Sequence, residues 1–532
     1  KWKVDATGTW QSIIAWSKVA GLDEDQQTAF EILTATFVLS FHTGKTNDIP
    51  ESSLLKEQFD SLCKLARKES KDTNPLRLFV TGPAGAGKCK FHICIHEQYA
   101  YTQIHISRNM QYSLYLLCWI SYCHCTALVL EELMAYARAF SRNIAYTFHS
   151  GSIRLTALTG TAAPDIKVKT TAHEFRLMKR DYTATLEDIN EFTDTRLCVV
   201  DEISFGDHDM VLGVLNENLR MLTQCFTQTY GDVPIAFLGD FCQLESIGGN
   251  PIFKHVRSIY WEQALTSMVE LKGTHRYSKC QDLTSIMPGL CETGMSEEAR
   301  KLFNSRVVDH VNVKLPNIAE AKFAVFHNNN RCEYNAAVFL SYLKEHHTGC
   351  DENNIPKSAI VIKASLSWTR SKQQLSFGQR KVVFEECCDA DIVNGNSRHC
   401  DPMLTLFTGC QLMGTENNDV RNGVANGTTS VFKRVVFKAG RKPTPMKLHG
   451  YWIYSVNAED VEHVLLEWHD SRFEGRFTMQ PRSTGFQVAF PIVEDGRKMK
   501  VKTGLTMFQL PLLVNHATTG HKLQGKTMDQ LI

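Results

Sequence analysis

The sequence carries almost no net charge: 58 Lys and Arg stand against 57 Asp and Glu, a formal balance of +1 over 532 residues. That excludes a basic field over the whole molecule, so any surface for nucleic acid has to be local. Long hydrophobic runs are missing too. The most apolar window, Tyr112 to Cys123, is too short for a helix to cross a bilayer, so no membrane partner is expected. The first residues, Lys1-Trp2-Lys3-Val4-Asp5, hold neither a methionine nor a signal-peptide h-region, as in a fragment, and targeting is not readable from them. The 17 cysteines form no C-x-x-C pair of pairs, and Cys387-Cys388 is their only adjacent pair. Free thiols in a reducing setting, nuclear or mitochondrial rather than secreted, are expected. What remains is the composition of an ordinary soluble protein, with length for roughly three or four domains.

Against that background one stretch is specific. Leu78-Phe79-Val80-Thr81-Gly82-Pro83-Ala84-Gly85-Ala86-Gly87-Lys88 reads as a buried strand entering a phosphate-binding loop of spacing G-x-x-x-x-G-K. Its glycines let backbone N–H groups turn toward phosphate oxygens, and Lys88 neutralises the β/γ charge. The next residue should be Ser or Thr to bind Mg²⁺ but is Cys89, a soft ligand ill-suited to a hard cation.

From Lys90 to Cys125 the chain is rich in Cys, His and Tyr, nearly uncharged and without a clean period; an amphipathic helix begins only at Thr126. Joining Lys88 to Thr126 gives G-P-A-G-A-G-K-T-A-L-V-L-E-E-L, a complete loop with its helix. Residues 89 to about 126 therefore read as foreign matter, most simply an intron translated in frame. Codons for Cys89-Lys90 can hold a splice donor and those for Thr126-Ala127 an acceptor. A His/Cys-rich metal insert using His92, His96, Cys123, His124 and Cys125 is the competing reading, against which the irregular spacing counts. Sequencing the mature transcript across this region separates the two.

Upstream, Leu22 to about Phe41 reads as an amphipathic helix capped by Asp23, and Gln26 carries a paired donor and acceptor suited to an adenine edge. Downstream, Ile153 to Leu158 is strand-like and runs into Thr159-Gly160-Thr161-Ala162-Ala163, followed by Thr171, His173 and Phe175. Small residues and hydroxyls suit a sugar-phosphate backbone and Phe175 a base, though a helix cap and a core aromatic serve equally well. Leu197-Cys198-Val199-Val200-Asp201-Glu202 is a buried strand ending in two carboxylates, Asp201 to hold Mg²⁺ through its water shell and Glu202 to polarise attacking water. A further strand, Val233 to Leu238, leads to Gly239-Asp240-Phe241-Cys242-Gln243-Leu244, where the Gln243 amide can sense a γ-phosphate. Phosphate loop and paired carboxylates together point to a nucleotide hydrolase.

In this order the stretches resemble the PIF-one-like DNA helicases, superfamily-one enzymes related to the RecD group. The likeness covers Leu22 to Ile532, with Leu271 to Tyr277 similar to the family's fourth motif and Ala517-Thr518-Thr519-Gly520-His521-Lys522-Leu523-Gln524-Gly525-Lys526-Thr527-Met528-Asp529 to its fifth. The resemblance implies that Arg276 reaches the γ-phosphate, that Gln524 and Gly525 lie near the triphosphate, and that Thr519, His521 and Lys522 contact DNA. It implies an α/β fold of two RecA-like P-loop domains, a nucleotide between them and a small SH3-like β-barrel insertion in the second. Expected boundaries are a flank over 1–21, the first RecA-like domain over 22–265, the second over 266–359, a β-rich insert over 360–500 and a truncated end over 501–532.

The function implied is ATP- and Mg²⁺-dependent 5′-to-3′ translocation by a monomer on single-stranded DNA. It extends to unwinding forked or structured DNA in repair, recombination or telomere maintenance. Departures are the interruption at Cys89, Glu245 and Ser246 where the family has prolines, and an end at Ile532 before the final, arginine-bearing motif. The alternatives are an impaired nucleotide- or DNA-binding remnant and, in a third class, a P-loop ATPase indifferent to DNA.

Overall fold

The computed structural model describes residues 10–43, 56–68, 75–82, 125–144, 146–149, 151–158, 169–177, 182–240, 250–252, 265–272, 282, 286, 296–305, 322–346, 359–388, 401–416, 424, 426–468, 475–494 and 497–523. They fall into two compact units, the first reaching Ser305 and the second taking over from there to Leu523.

The first unit is built on six parallel strands: β1 (Arg77–Thr81), β2 (Ile153–Ala157), β3 (Lys169–Thr170), β4 (Leu197–Asp201), β5 (Ile235–Leu238) and β6 (Ser267–Glu270). They lie in the order β3-β2-β4-β5-β1-β6. The central strands are short apolar runs because both faces of the sheet are covered. Leu78, Val80, Leu197, Val199, Ala236 and Leu238 face one core, together with helices α1 (Trp10–Val19), α2 (Glu24–Thr43), α3 (Lys56–Ala66) and the helix Cys125–Asn143. The alternate residues Phe79, Cys198, Val200, Ile235 and Phe237 face the other, against Phe175, Phe192, Leu215, Leu219 and Leu222. The two-residue period of a strand thus splits one sequence pattern into two cores.

Two expectations shift. Helix α2 is buried on nearly every side, with Ala29, Phe30, Ile32, Leu33, Ala35, Phe37, Val38 and Phe41 at 0% exposure, so it is a central helix rather than an amphipathic one. The first unit also runs past Leu265. Ser267–Glu270 is an edge strand beside β1, with Ser267 and Val269 turned inward and Met268 and Glu270 outward.

In the second unit, β7 (Phe323–Val325) pairs in parallel with β20 (Ala517–Thr519), flanked by the helix Asn328–His346. The β-rich stretch begins with β8 (Ala359–Lys363) and forms separate sheets. A mixed sheet runs β10 (Met403–Phe407), β8, β14 (Tyr451–Asn457), β13 (Thr444–Leu448); a five-stranded antiparallel one runs β16 (Arg476–Met479), β15 (Val461–Trp468), β12 (Thr429–Phe437), β11 (Gln411–Gly414), β19 (Leu512–Val514); and a three-stranded one runs β17 (Arg482–Glu494), β18 (Arg497–Gln509), β9 (Ser365–Trp368). Among the described residues no strand pairing closes a barrel. The described cysteines, Cys63, Cys198, Cys225, Cys332, Cys387 and Cys410, are free thiols; burial pushes Cys198 and Cys410 up to about 12. No helix among the described residues is long and apolar enough to cross a membrane.

Candidate nucleotide site

Three neighbouring strands of the first unit deliver their carboxyl ends to one edge of the sheet. Phe79 pairs with Phe237 and Val200 with the same Phe237, so β1, β4 and β5 end level with one another. Beyond them come Gly82, Asp201-Glu202 and Gly239-Asp240. In open α/β sheets ligands bind at this edge.

The ends are tightly fitted. A Cβ on Gly82 would lie 2.4 Å from the Leu271 carbonyl oxygen, and one on Gly239 would lie 2.5 Å from Ile203 Cγ2. Only glycine fits either position without displacing backbone or core. Asp201, Glu202 and Asp240 are buried, at 2%, 1% and 3% exposure. The Glu202 N–H donates to Asp201 Oδ1 at 2.8 Å, and the Asp201 carbonyl accepts from the Leu158 N–H at 3.1 Å. Glu202 itself has φ 60° and ψ 41°, the left-handed region that a side-chain-bearing residue avoids. Such a conformation costs about 1–3 kcal/mol and persists where the surroundings enforce it, which is typical of functional sites. Gly239 has no room for a Cβ against Ile203, the residue after Glu202, so the turn and the end of β5 lie close together.

Gln26 begins α2 in a reciprocal cap. Its N–H donates to Asp23 Oδ1 at 2.9 Å, and its Oε1 accepts from the Asp23 N–H at 3.0 Å. At 2% exposure its Nε2 finds no partner among the described residues. A buried amide donor without an acceptor is costly unless a ligand supplies one. The same turn is tied to the phosphate-loop strand, because Asp25 Oδ2 accepts from the N–H of Lys272, which follows the Leu271 that backs Gly82. Nothing in the sequence pattern signalled that tie.

The helix Cys125–Asn143 starts one residue before the expected Thr126. Its Val129, Leu130, Leu133, Tyr136, Ala137 and Phe140 share a core with Leu78 and Val80 of β1. It therefore belongs to the same core as the strand that leads to Gly82.

The remaining expectations separate into three groups. Pro83, Ala84, Gly85, Ala86, Gly87, Lys88, the segment from Cys89 to His124, Thr159, Gly160, Thr161, Gln243, Arg276, Gln524 and Gly525 lie outside the described residues, as do the side chains of Thr126, His521 and Lys522. His173 is exposed and Thr519 half-buried. Thr171 and Phe175, in contrast, are at 0% exposure. Thr171 Oγ1 donates to Thr156 Oγ1 at 3.1 Å, which in turn donates to the Val199 carbonyl at 3.1 Å. Phe175 packs on Phe192 at 6.0 Å between ring centroids. The base-stacking role read for Phe175 is corrected: it is a core aromatic, because the short helix Thr171–Glu174 turns it inward while leaving His173 outside. Phe175→Ala is expected to lower the unfolding free energy by about 3–5 kcal/mol in a denaturant titration, with no separate change in DNA affinity for the folded protein.

Beneath that helix lies an ionic network that sequence reading missed, since its members are scattered. Arg154, at 3% exposure, binds Glu174 and the Glu191 carbonyl and sits 3.6 Å from the centroid of the Phe192 ring. Burial pushes the Glu174 carboxyl up, but Arg154 and Lys169 outweigh it and hold the group below its ordinary value. Arg176 joins Asp188 and Glu191 at 3.1 and 2.9 Å. Burial also opposes ionisation of Asp188, yet bonds from Thr185, Tyr182 and Arg176 bring it down to about 2. Because the folded value lies below the ordinary 3.8, its stabilisation is complete above that pH and is lost as pH falls through about 2. Asp188→Asn should therefore cost about 1 kcal/mol at neutral pH, with the gap to the parent closing as thermal melts are moved from pH 4 to pH 2.

The architecture is similar to solved Pif1 helicases. Bacteroides Pif1 bound to ssDNA gives a TM-score of 0.51 at 15% identity, covering 90% of this chain and 85% of that one. A structure of DNA unwinding at forked dsDNA by two coordinating Pif1 helicases gives 0.50 at 14% identity, again over 90% and 85% of the two chains. No protein-family model and no curated protein matches the sequence. The fold is thus a RecA-like helicase fold, and the solved structures that share it here are Pif1 helicases.

Proposed function

We propose that the chain is an ATP-dependent DNA helicase of the PIF-one-like family, built to couple ATP hydrolysis to movement along single-stranded DNA. The observation that carries this is the buried Asp201-Glu202 pair, with Glu202 in a left-handed conformation at the end of β4, beside β5 with its Gly239-Asp240 and one strand removed from β1, which leads to Gly82. The site fits its nucleotide and metal. Asp201 offers a hard oxygen at the strand edge, Gly82 admits backbone where a Cβ would clash, and Gln26 presents an amide donor that has no partner among the described residues. Mg²⁺, when bound, neutralises charge on the β- and γ-phosphates.

In this reading Gln26 orients the base and the loop from Gly82 to Lys88 cradles the phosphates. Asp201 and the Thr126 hydroxyl hold the metal. Glu202 takes the proton of the attacking water, while Gln243 and Arg276 respond to the γ-phosphate. DNA would run past Thr159, His173 and Lys522, with forked or structured DNA as the unwound substrate and repair, recombination or telomere maintenance as the setting. The place of Cys125–Asn143 in the core that also takes in β1 favours a second statement about the same fold: the segment between Lys88 and Thr126 interrupts a loop that is complete without it. ATP hydrolysis measured with and without single-stranded oligonucleotide tests the reading. In a chain lacking residues 89–125, stimulation that vanishes on Lys88→Ala is expected, and turnover indifferent to DNA would move the chain to another class of P-loop ATPase.

A further inference from the structure

The segment that leads into the last motif is held from several sides within the second unit. Its strand, β20, is only Ala517–Thr519, paired in register with Phe323, Ala324 and Val325, and the helix Gly520–Leu523 follows at once. Just upstream, Lys322 is buried and donates to the Asn515 carbonyl, while the Asn515 N–H donates to the Gln411 carbonyl at 2.8 Å. His516, at 0% exposure, lies parallel to the Phe407 ring at 5.6 Å and accepts the Gln411 N–H on Nε2 at 3.3 Å.

The closest hold comes from another element. Asn335, in the middle of the helix Asn328–His346 and 6% exposed, donates from Nδ2 to the Val514 carbonyl at 2.9 Å and to the Ala517 carbonyl at 3.3 Å. Its Oδ1 accepts the Ala517 N–H at 2.8 Å. One side-chain amide therefore does for Ala517 what a neighbouring strand would do, satisfying both its donor and its acceptor. A hydrophobic residue could fill this place in a helix–strand contact. An amide making all three bonds fixes the height and rotation of the strand as well as its packing.

We infer that Asn335 is a positioning residue for DNA binding, setting the backbone from which Thr519, His521 and Lys522 are presented. This rests on the helicase reading, in which those residues contact the phosphate backbone. Partial loss of these three bonds is expected to shift DNA affinity by about tenfold. Asn335→Asp keeps the acceptor for Ala517 but sets a carboxylate against two carbonyls. Asn335→Ser, which retains one hydroxyl, disturbs less.

The test is a double-mutant cycle between Asn335 and Lys522, read as the affinity of the full chain for a fluorescein-labelled oligothymidylate at several salt concentrations. Lys522→Ala and Asn335→Asp are each expected to weaken binding about tenfold and to reduce the salt slope, with Asn335→Ser between them and the parent. Combining the two is expected to add little, because the second change acts through the first. Additive losses, or an Asn335 variant that melts at lower temperature yet binds as the parent does, would overturn the inference and leave Asn335 a fold-stabilising residue. If Lys522→Ala leaves binding unchanged, it is the helicase reading of the last motif that fails, whatever the Asn335 variants do. Should Asn335→Asp not fold, Asn335→Ser carries the same cycle with a smaller expected effect.

Discussion

A chain lacking residues 89–125 is expected to hydrolyse ATP in response to single-stranded DNA about a hundredfold faster than the 532-residue chain, and Lys88→Ala in the shortened chain should return it to background. The magnitude follows from what the junction restores. A Mg²⁺-binding hydroxyl and phosphate-binding N–H groups act on charge that develops in transfer, and removal of a single such group commonly costs a hundredfold or more. The structural ground is the helix Cys125–Asn143. It shares the β1 core through Leu133, Tyr136 and Phe140, and it is further fixed by α1, whose Trp16 donates to Glu132 at 2.8 Å and whose Ser12 bonds the Tyr136 hydroxyl at 2.8 Å. A helix so held by α1 and by the core it shares with β1 leaves the shortened loop with a defined place to end. Equal turnover by both chains, each sensitive to Lys88→Ala, would show that the loop works with the segment present and would refute the interruption.

How far the sequence could carry this reading depended on whether the determinants were local. The strands β1, β4 and β5 were legible because a strand buried on both faces must be a short apolar run, and because a phosphate loop and an acidic pair follow two of those runs. Asp23 as the cap of α2 was legible from residue type and position, whereas the bond that Gln26 returns to it was not. Phe175 was not, since an aromatic beside polar residues reads the same way whether it faces DNA or Phe192, and only the turn of a four-residue helix decides. The edge strand Ser267–Glu270 was missed because half of its residues face solvent, which dilutes the apolar signal. Arg154–Glu174 and Asn335–Ala517 join residues far apart in the chain, and no pattern within either partner announces the other. Nonlocal polar contacts are also where the proposed DNA-binding segments are held.

The second large effect belongs to Glu202. In the shortened chain, Glu202→Gln is expected to lower DNA-stimulated turnover by about 10²–10⁴-fold while leaving nucleotide binding close to that of the parent. The amide keeps the shape and the buried packing but cannot take a proton. Two controls make the result specific. Asp201→Asn removes the metal's oxygen charge rather than the base, so its loss should show also as weaker Mg²⁺-dependent nucleotide binding. Glu202→Gly is the sharper control, because glycine adopts φ 60° without strain and should leave the protein as stable as the parent or more so, yet equally inactive. Separation of stability from activity at one position is what a strained functional residue predicts. If Glu202→Gly instead loses stability and Glu202→Gln retains turnover, the left-handed turn after β4 serves the fold alone and the attacking water is activated elsewhere.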